Sequence, residues 1–207
     1  MTKVKICGLT REEDVCFVNE ALPDYVGFVF AESKRQIDFD LAKRLKDRLS
    51  RNIKAVGVFV NADIDLVKKL CAENIIDMIQ LHGDEEEKYI EQIRKITDKP
   101  IIKAMRVCRK EDIADTAANF TLFDTYHKEQ YGGTGESFNW QFVKDYEKPC
   151  FLAGGLDIGN IKEAIETVKP YCVDISSGVE TDGVKDKEKI INIINLVRSV
   201  TDRKSVV

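Results

Sequence analysis

The residue whose chemistry stands out first is Cys7, which ends a short, largely β-branched run at the start of the chain. Residues 4–7 predict a strand, and Thr10 is predicted to cap a helix over residues 11–20. If further parallel strands follow, Cys7 lies where strand ends and loops converge, which is where enzymes of this architecture place their reactive groups. A thiolate at that position can act as a base. The alternative is an inert core thiol, because free cysteines are often buried.

A carboxylate, Asp124, follows another predicted strand, at residues 121–123. The loop over residues 125–137 comes next, and long loops inside compact domains are usually functional. We expect Cys7 and Asp124 on opposite sides of one rim, where they would act as base and acid on one small substrate. As the alternative, Asp124 merely caps the next helix, although the long loop separates it from that helix.

Glycines and serines after two late strands point to an anion site. Gly154 and Gly155 follow the predicted strand at 150–153, and Ser177 and Gly178 follow the one at 172–175. Such residues let backbone N–H groups approach an anion, and the loops after strands seven and eight of an eight-stranded barrel often bind phosphate. A plain tight turn is the alternative for the glycine pair.

Three further polar residues, Arg35, Gln80 and Asp174, lie at or near predicted strand ends and are candidates for substrate binding. Arg35 suits an anionic or aromatic group, unless it is an ordinary solvated charge. The histidines His82 and His127 lie beside the same rim, but nothing in their spacing requires catalysis. We interpret both histidines as loop residues.

The elements that must position these side chains alternate between strands and helices. Apolar runs such as residues 25–30 are typical of parallel strands buried on both faces. The predicted strands are at 4–7, 25–30, 55–60, 78–81, 101–104, 121–123, 150–153 and 172–175. The predicted helices are at 11–20, 38–49, 64–72, 85–96, 110–117, 139–146, 157–168 and 185–200.

Eight strand–helix pairs predict an α/β fold, a (β/α)8 TIM barrel. A doubly wound open sheet is the alternative, and the chain lacks the G-x-G-x-x-G and Walker patterns that often accompany it. No Pro-rich or Ser/Gly-rich linker divides the chain, so we expect one domain over residues 1–207, with a frayed tail at 201–207.

Composition excludes several classes of function. With 43% hydrophobic residues the chain can bury a core, and a net charge of −4 without a basic stripe argues against a nucleic-acid partner. We find no apolar segment long enough for a signal peptide or a membrane span, so we expect a cytoplasmic protein without a membrane partner. The six cysteines form no C-x-x-C pair and only two histidines are present, so we expect no metal and no disulfide framework.

An ordered set of motifs resembles the phosphoribosylanthranilate isomerase family of tryptophan biosynthesis, from residue 3 to the last predicted helix. These motifs are Lys5-Ile6-Cys7-Gly8, Val56-Gly57-Val58-Phe59, Gln80-Leu81-His82-Gly83, Asp124 with Gly132-Gly133-Thr134-Gly135 and Phe138-Asn139-Trp140, Ala153-Gly154-Gly155-Leu156, and Asp174-Ile175-Ser176-Ser177-Gly178-Val179-Glu180. The resemblance implies an Amadori rearrangement of a small phosphosugar–anthranilate substrate, without a cofactor. The protein is expected to be a monomer or a homodimer.

The resemblance also implies roles for residues. Asp124 is expected to protonate the furanose oxygen and Cys7 to remove the C2′ proton, while Arg35 faces the anthranilate and Gln80 and Asp174 hold hydroxyls or orient the catalytic groups. Because a free thiol is a weak base at neutral pH, we expect Lys5 or the first helix N-terminus to lower the pKa of the Cys7 thiol.

Two classes of function compete with this interpretation. Another phosphosugar enzyme on the same barrel is the nearest, but indole-glycerol-phosphate synthase expects lysines at strand ends and a metal-dependent epimerase expects paired histidines. A non-catalytic phosphometabolite-binding protein is the other, although binding alone has no use for Cys7 and Asp124.

Overall fold

The computed structural model describes residues 1–125 and 139–202. Eight parallel strands form a closed barrel in sequence order, and the last strand pairs with the first. They are β1 (Lys3–Cys7), β2 (Tyr25–Val29), β3 (Lys54–Phe59), β4 (Met78–Leu81), β5 (Ile101–Val107), β6 (Phe120–Thr125), β7 (Cys150–Leu152) and β8 (Cys172–Ile175). The closed barrel confirms the predicted (β/α)8 fold.

Six α-helices lie in the described ranges, and they surround the barrel. They are α1 (Glu12–Ala21), α2 (Phe39–Arg48), α3 (Ile64–Ala72), α4 (Glu87–Arg94), α5 (Ile161–Val168) and α6 (Lys187–Asp202). An antiparallel hairpin that the sequence did not indicate, β9 (Glu180–Thr181) and β10 (Val184–Lys185), lies between β8 and α6. In the described part of the chain, no helix has both the length and the apolar character needed to cross a membrane.

Two of the predicted helices are wrong. Residues 110–117 contain only a 3₁₀ turn, Lys110–Asp112, and residues 139–146 contain only Trp140–Phe142. Both segments are short, and neither carries an apolar stripe long enough to offset the cost of helix nucleation.

Helix boundaries also differ from prediction. Thr10 does not cap α1: the N-cap is Arg11, and Asp14 Oδ2 accepts the N–H groups of Thr10 and Arg11 at 2.9 and 3.0 Å. Helix α5 begins four residues later than expected, after Asn160, and α6 begins at Lys187. Helix α6 continues into the predicted tail as far as residue 202, whereas 203–207 lie outside the described residues.

The long loop predicted at residues 125–137 can be compared with the structure at one residue. Thr125 belongs to β6, and residues 126–138 lie outside the described part of the chain. His127 and the Gly132-Gly133-Thr134-Gly135 motif fall in that range.

Side chains alternate along each strand between two apolar cores. The barrel interior is filled by Tyr25, Val56, Met78, Ile102, Ala104, Leu122, Phe151, Ala153 and Cys172. The opposite face of each strand packs against the helices, as Ile6 and Phe123 do without any exposed surface. Because the odd-numbered residues of β1 share the interior face, this alternation turns Lys5 and Cys7 inward.

Candidate active site

The thiol of Cys7 lies at the carboxyl end of β1, against the neighbouring strand β2. A methyl group on Gly27 would lie 2.5 Å from the Cys7 sulfur, so the thiol occupies space that any other residue at position 27 would fill. The residue is partly exposed, which separates it from the buried thiols of Cys71, Cys150 and Cys172.

A buried ion pair lies just below Cys7 inside the barrel. Lys5 pairs in register with Asp174 on β8, and Lys5 Nζ donates to Asp174 Oδ2 at 2.8 Å. Lys5 has no exposed surface and Asp174 is 8% exposed. Asp174 Oδ1 is buried and has no hydrogen-bond partner among the described residues. The pair therefore leaves one carboxylate oxygen able to accept a hydrogen bond.

The environment of Cys7 favours the neutral thiol. Burial raises the pKa of the Cys7 thiol above its ordinary value, the Lys5 ammonium lowers it, and the Asp174 carboxylate raises it again. Lys5 therefore acts in the expected direction, although the thiol pKa stays above its ordinary value. Burial and the Asp174 charge together outweigh the Lys5 and Lys185 ammonium groups, which lower the thiol pKa.

Asp124 is the penultimate residue of β6, three strands from Cys7 around the barrel, and a histidine makes a hydrogen bond to it. His82 Nε2 lies 3.1 Å from Asp124 Oδ2, and Gln80 Nε2 lies 2.8 Å from His82 Nδ1. Since the Gln80 amide nitrogen can only donate, His82 Nδ1 accepts and His82 Nε2 carries the hydrogen that it donates to Asp124. The Thr125 N–H donates to the other carboxylate oxygen, Asp124 Oδ1, at 2.8 Å.

The loop that carries His82 is fixed by a buried carboxylate. Glu85 Oε1 accepts the Asn61 N–H at 2.7 Å, and Glu85 Oε2 accepts from Gly83 N at 3.0 Å. Lys103 on β5 donates to Glu85 Oε2 at 3.0 Å and to the Gly83 carbonyl at 2.8 Å. These bonds join the segments that follow β3 and β4 to the middle of β5, and so fix the position of His82.

The loops after β7 and β8 are in direct contact. Gly154 and Gly155 have φ values of +86° and +62°, a conformation that favours glycine. A methyl group on Gly178 would lie 2.0 Å from the Leu156 carbonyl oxygen, so the two backbones meet at Gly178. A methyl group on Gly154 would lie 3.0 Å from Asp124 Oδ1, so this loop also adjoins the carboxylate.

Arg35 lies above the first strand and is held by a distant carboxylate. Its Nε and Nη2 groups donate to the two oxygens of Glu180 at 2.8 and 2.9 Å. Glu180 also accepts from Lys185 Nζ at 2.6 Å. A methyl group on Gly8 would lie 2.4 Å from Arg35 Cδ, so the arginine stem crosses the residue that follows Cys7.

The structure brings the predicted site residues to one end of the barrel, the end where the strands terminate. These residues are Cys7, Arg35, Gln80, Asp124, Gly154, Gly155, Asp174, Ser177 and Gly178.

Sequence reasoning missed three residues of this rim. We interpreted His82 as a loop residue, placed Lys185 at the start of a helix, and gave Glu180 no role. A signal existed for His82, because it lies two residues after Gln80 and therefore continues the inward alternation of β4. Nothing local in the sequence joins Glu180 to Arg35.

The chain is similar to proteins of one family. Residues 4–196 match the family model described as N-(5′-phosphoribosyl)anthranilate (PRA) isomerase. An N-(5′-phosphoribosyl)anthranilate isomerase from Endomicrobium trichonymphae is 54% identical over 200 residues, which are 97% of this chain and 100% of the relative.

Solved structures agree with the sequence match. Phosphoribosyl anthranilate isomerase from Thermotoga maritima has a TM-score of 0.85 at 33% identity, covering 96% of this chain and 100% of that one. Another isomerase structure, in complex with reduced 1-(o-carboxyphenylamino)-1-deoxyribulose 5-phosphate, has a TM-score of 0.82 at 32% identity, with coverage of 96% and 100%. A closed barrel with this rim and a match along nearly its whole length lead to one conclusion: the chain belongs to the N-(5′-phosphoribosyl)anthranilate isomerase family.

Proposed function

We propose that the protein catalyses the Amadori rearrangement of N-(5-phosphoribosyl)anthranilate to 1-(2-carboxyphenylamino)-1-deoxyribulose 5-phosphate, in tryptophan biosynthesis. The observation that carries the proposal is the pairing of two proton-transfer groups on one rim of a closed barrel. Cys7 is the last residue of β1 and lies next to the Lys5 ammonium, and Asp124, near the end of β6, accepts a hydrogen bond from His82. Family membership selects this reaction among those that two such groups could perform.

The proposed reaction begins at the furanose ring. Asp124 gives a proton to the ring oxygen, the C1′–O bond breaks, and the nitrogen lone pair forms a C1′=N⁺ iminium. The N–H groups of His82 and Thr125 donate to the carboxylate that Asp124 becomes, and so stabilise it.

Cys7 then acts as the base. The thiolate takes the C2′ proton, and the C–H electron pair forms an enolamine by neutralising the iminium. Proton transfer to C1′ and loss of the hydroxyl proton at C2′ give the ketone, so C2′ is oxidised as C1′ is reduced. The iminium charge and the Lys5 and Lys185 ammonium groups favour the thiolate, which burial disfavours.

Two buried acceptors suit the hydroxyl groups of the substrate. Gln80 Oε1 and Asp174 Oδ1 have no hydrogen-bond partner within the described ranges, although both atoms are buried. An unpaired buried acceptor costs about 1–3 kcal/mol, which a substrate O–H donor recovers. This supports Gln80 and Asp174 as substrate-binding residues. It favours a position of the bound substrate in which its sugar chain lies between β4 and β8.

The loops after β7 and β8 are proposed to bind the phosphate through the backbone around Gly154, Gly155, Ser177 and Gly178. Replacing Gly155, at φ +62°, with Val should raise KM at least about tenfold, because a β-branched residue disfavours this conformation and blocks approach to the anion. Steady-state kinetics and competition by inorganic phosphate measure the effect.

The matched control is Gly159→Ala in the same loop. Its methyl group would approach only the end of the Asp157 side chain, at 3.3 Å, so KM should not change. If phosphate in the tens of millimolar, roughly the range that saturates a millimolar site, does not compete with substrate, the phosphate binds elsewhere.

We propose that turnover needs no metal and no organic cofactor, because the rearrangement returns every electron that it moves. Activity should be unchanged, within about twofold, after exhaustive dialysis against a chelator. Loss of activity on chelation, with recovery on addition of one divalent ion, would contradict this and favour a metal-dependent epimerase.

A coupled assay tests the function. Anthranilate and phosphoribosyl pyrophosphate, joined by a transferase in situ, give a fluorescent substrate, and its disappearance should depend on this protein. If fluorescence persists while phosphate still binds, the isomerase proposal is wrong and a phosphometabolite-binding protein is favoured. A single domain over 1–207, a cytoplasmic location and a monomeric or homodimeric state stay predictions.

A further inference from the structure

The orientation of Arg35 depends on a residue 145 positions away in the chain. Glu180 accepts from Arg35 Nε and Nη2 through its two oxygens, which is the parallel, two-bond geometry that fixes a guanidinium plane. Arg35 retains 24% exposure of its side chain, whereas Glu180 retains 9%. The carboxylate is thus the anchored partner of the pair.

Glu180 is itself held by the hairpin on which it lies. It pairs in register with Lys185 across β9 and β10, and Lys185 Nζ donates to Glu180 Oε1 at 2.6 Å. Lys185 is 3% exposed and also donates to the Ser176 carbonyl at 3.0 Å. The lysine therefore links Glu180 to the end of β8.

The pair leaves Arg35 able to bind an anion. A guanidinium has five N–H donors, and the hydrogen bonds to Glu180 use only Nε and Nη2. The Nη1 group has no hydrogen bond within residues 1–125 and 139–202, and the arginine stem crosses Gly8 beside Cys7. Arg35 and Lys185 are cations and Glu180 is an anion, so the three together keep one positive charge at this rim.

We propose that Glu180 is a positioning residue for Arg35, and that Lys185 keeps Glu180 in place. Together they aim the free guanidinium donors at the carboxylate of the anthranilate ring. The proposal rests on the proposed function, in which Arg35 faces the anthranilate. Recognition of that carboxylate then requires the β9–β10 hairpin as well as Arg35.

A double-mutant cycle with two ligands tests the proposal. The variants are Glu180→Gln, Arg35→Met and the double variant. One ligand is reduced 1-(o-carboxyphenylamino)-1-deoxyribulose 5-phosphate, and the other is the same compound without the ring carboxylate. Affinities are measured by calorimetry, with kcat and KM from the coupled assay.

Each single variant should weaken binding of the carboxylate ligand about 10–100-fold, the range for a charge-assisted hydrogen bond. Binding of the ligand without the carboxylate should change less than about threefold. The double variant should match Arg35→Met alone, because Glu180 acts only through Arg35. Glu180→Gln should raise KM and leave kcat within about threefold.

Glu73→Gln is the matched control, since it removes an exposed ion pair between the C-cap of α3 and Lys43 on α2 and should change neither affinity. Two results would overturn the proposal if the parent protein is active. One is that the effects of Glu180→Gln and Arg35→Met on affinity are independent in the cycle. The other is that Glu180→Gln weakens binding of both ligands equally. A parent that binds the carboxylate ligand but fails in the coupled assay contradicts the proposed function alone. A parent that does neither contradicts both.

Discussion

Cys7→Ala and Asp124→Asn will each lower kcat by about 10²–10⁴-fold, the usual contribution of a positioned proton-transfer group. Cys7 is partly exposed at the end of β1, and Asp124 receives two N–H donors at the end of β6, so neither change opens a large cavity in the core. Affinity for the reduced product analogue and the midpoint of thermal unfolding should stay nearly constant. Stopped assays at saturating substrate measure kcat.

Variants of two other cysteines serve as controls that distinguish a catalytic base from a structural thiol. Cys16→Ala, at an exposed position of α1, should change neither kcat nor stability. Cys71→Ala, at a buried position of α3, should lower stability and spare kcat. If Cys7→Ala behaves like Cys71→Ala, Cys7 is a core thiol and the proposed base is wrong.

Lys5→Met is expected to have the largest effect on stability, lowering the free energy of unfolding by about 3–5 kcal/mol. The change leaves the buried Asp174 carboxylate without the ammonium that pairs with it, and one of its oxygens already lacks a partner among the described residues. Denaturant titration at constant pH measures the loss.

The double variant Lys5→Met/Asp174→Leu is a control that separates the effect of an unpaired charge from the effect of altered packing volume. Replacing both partners of a buried pair with apolar residues is often neutral, so this variant should recover most of the lost stability. Equal destabilisation in the single and double variants would assign the effect to packing rather than to the unpaired Asp174 charge.

The pH profile provides a second measurement on Lys5→Met. Burial raises the pKa of the Cys7 thiol. The limb of the kcat/KM profile that reports the thiolate should therefore have its midpoint at a pH above the ordinary thiol pKa. Lys5 lowers that pKa, so its removal should move the limb to still higher pH. A limb that does not move would contradict the interaction between Lys5 and Cys7.

The loss of stability should be present from pH 7 to pH 9. Burial lowers the pKa of Lys5, but the charges and hydrogen bonds of Asp174 and Cys7 together raise it more, so the net pKa lies above the ordinary lysine value. A group whose pKa is raised by folding contributes its stability below the unfolded value and loses it only as the pH passes the folded one. Lys5 therefore stays charged throughout this window.

The sequence by itself determined the barrel and the positions of its eight strands, although the strand predicted at 101–104 continues to Val107. Apolar runs bounded by glycine, proline and polar residues are local signals, and the strands Met78–Leu81 and Cys172–Ile175 begin and end where the pattern predicted. Parallel strands in sequence order place Cys7 and Asp124 on one rim without further information. The helices predicted at 110–117 and 139–146 failed because short segments have weak periodicity.

Only the tertiary structure decided which side chains meet on that rim and which protonation states they favour. His82 contacts Asp124 across 42 residues, between the ends of β4 and β6. Lys5 contacts Asp174 across 169 residues, because closing the barrel makes β1 and β8 neighbours. Hydrogen bonds form over about 3 Å, whereas a sequence pattern reports only on residues a few positions apart. The pKa of Cys7 likewise depends on burial and on distances to charges from other strands, which no local pattern contains.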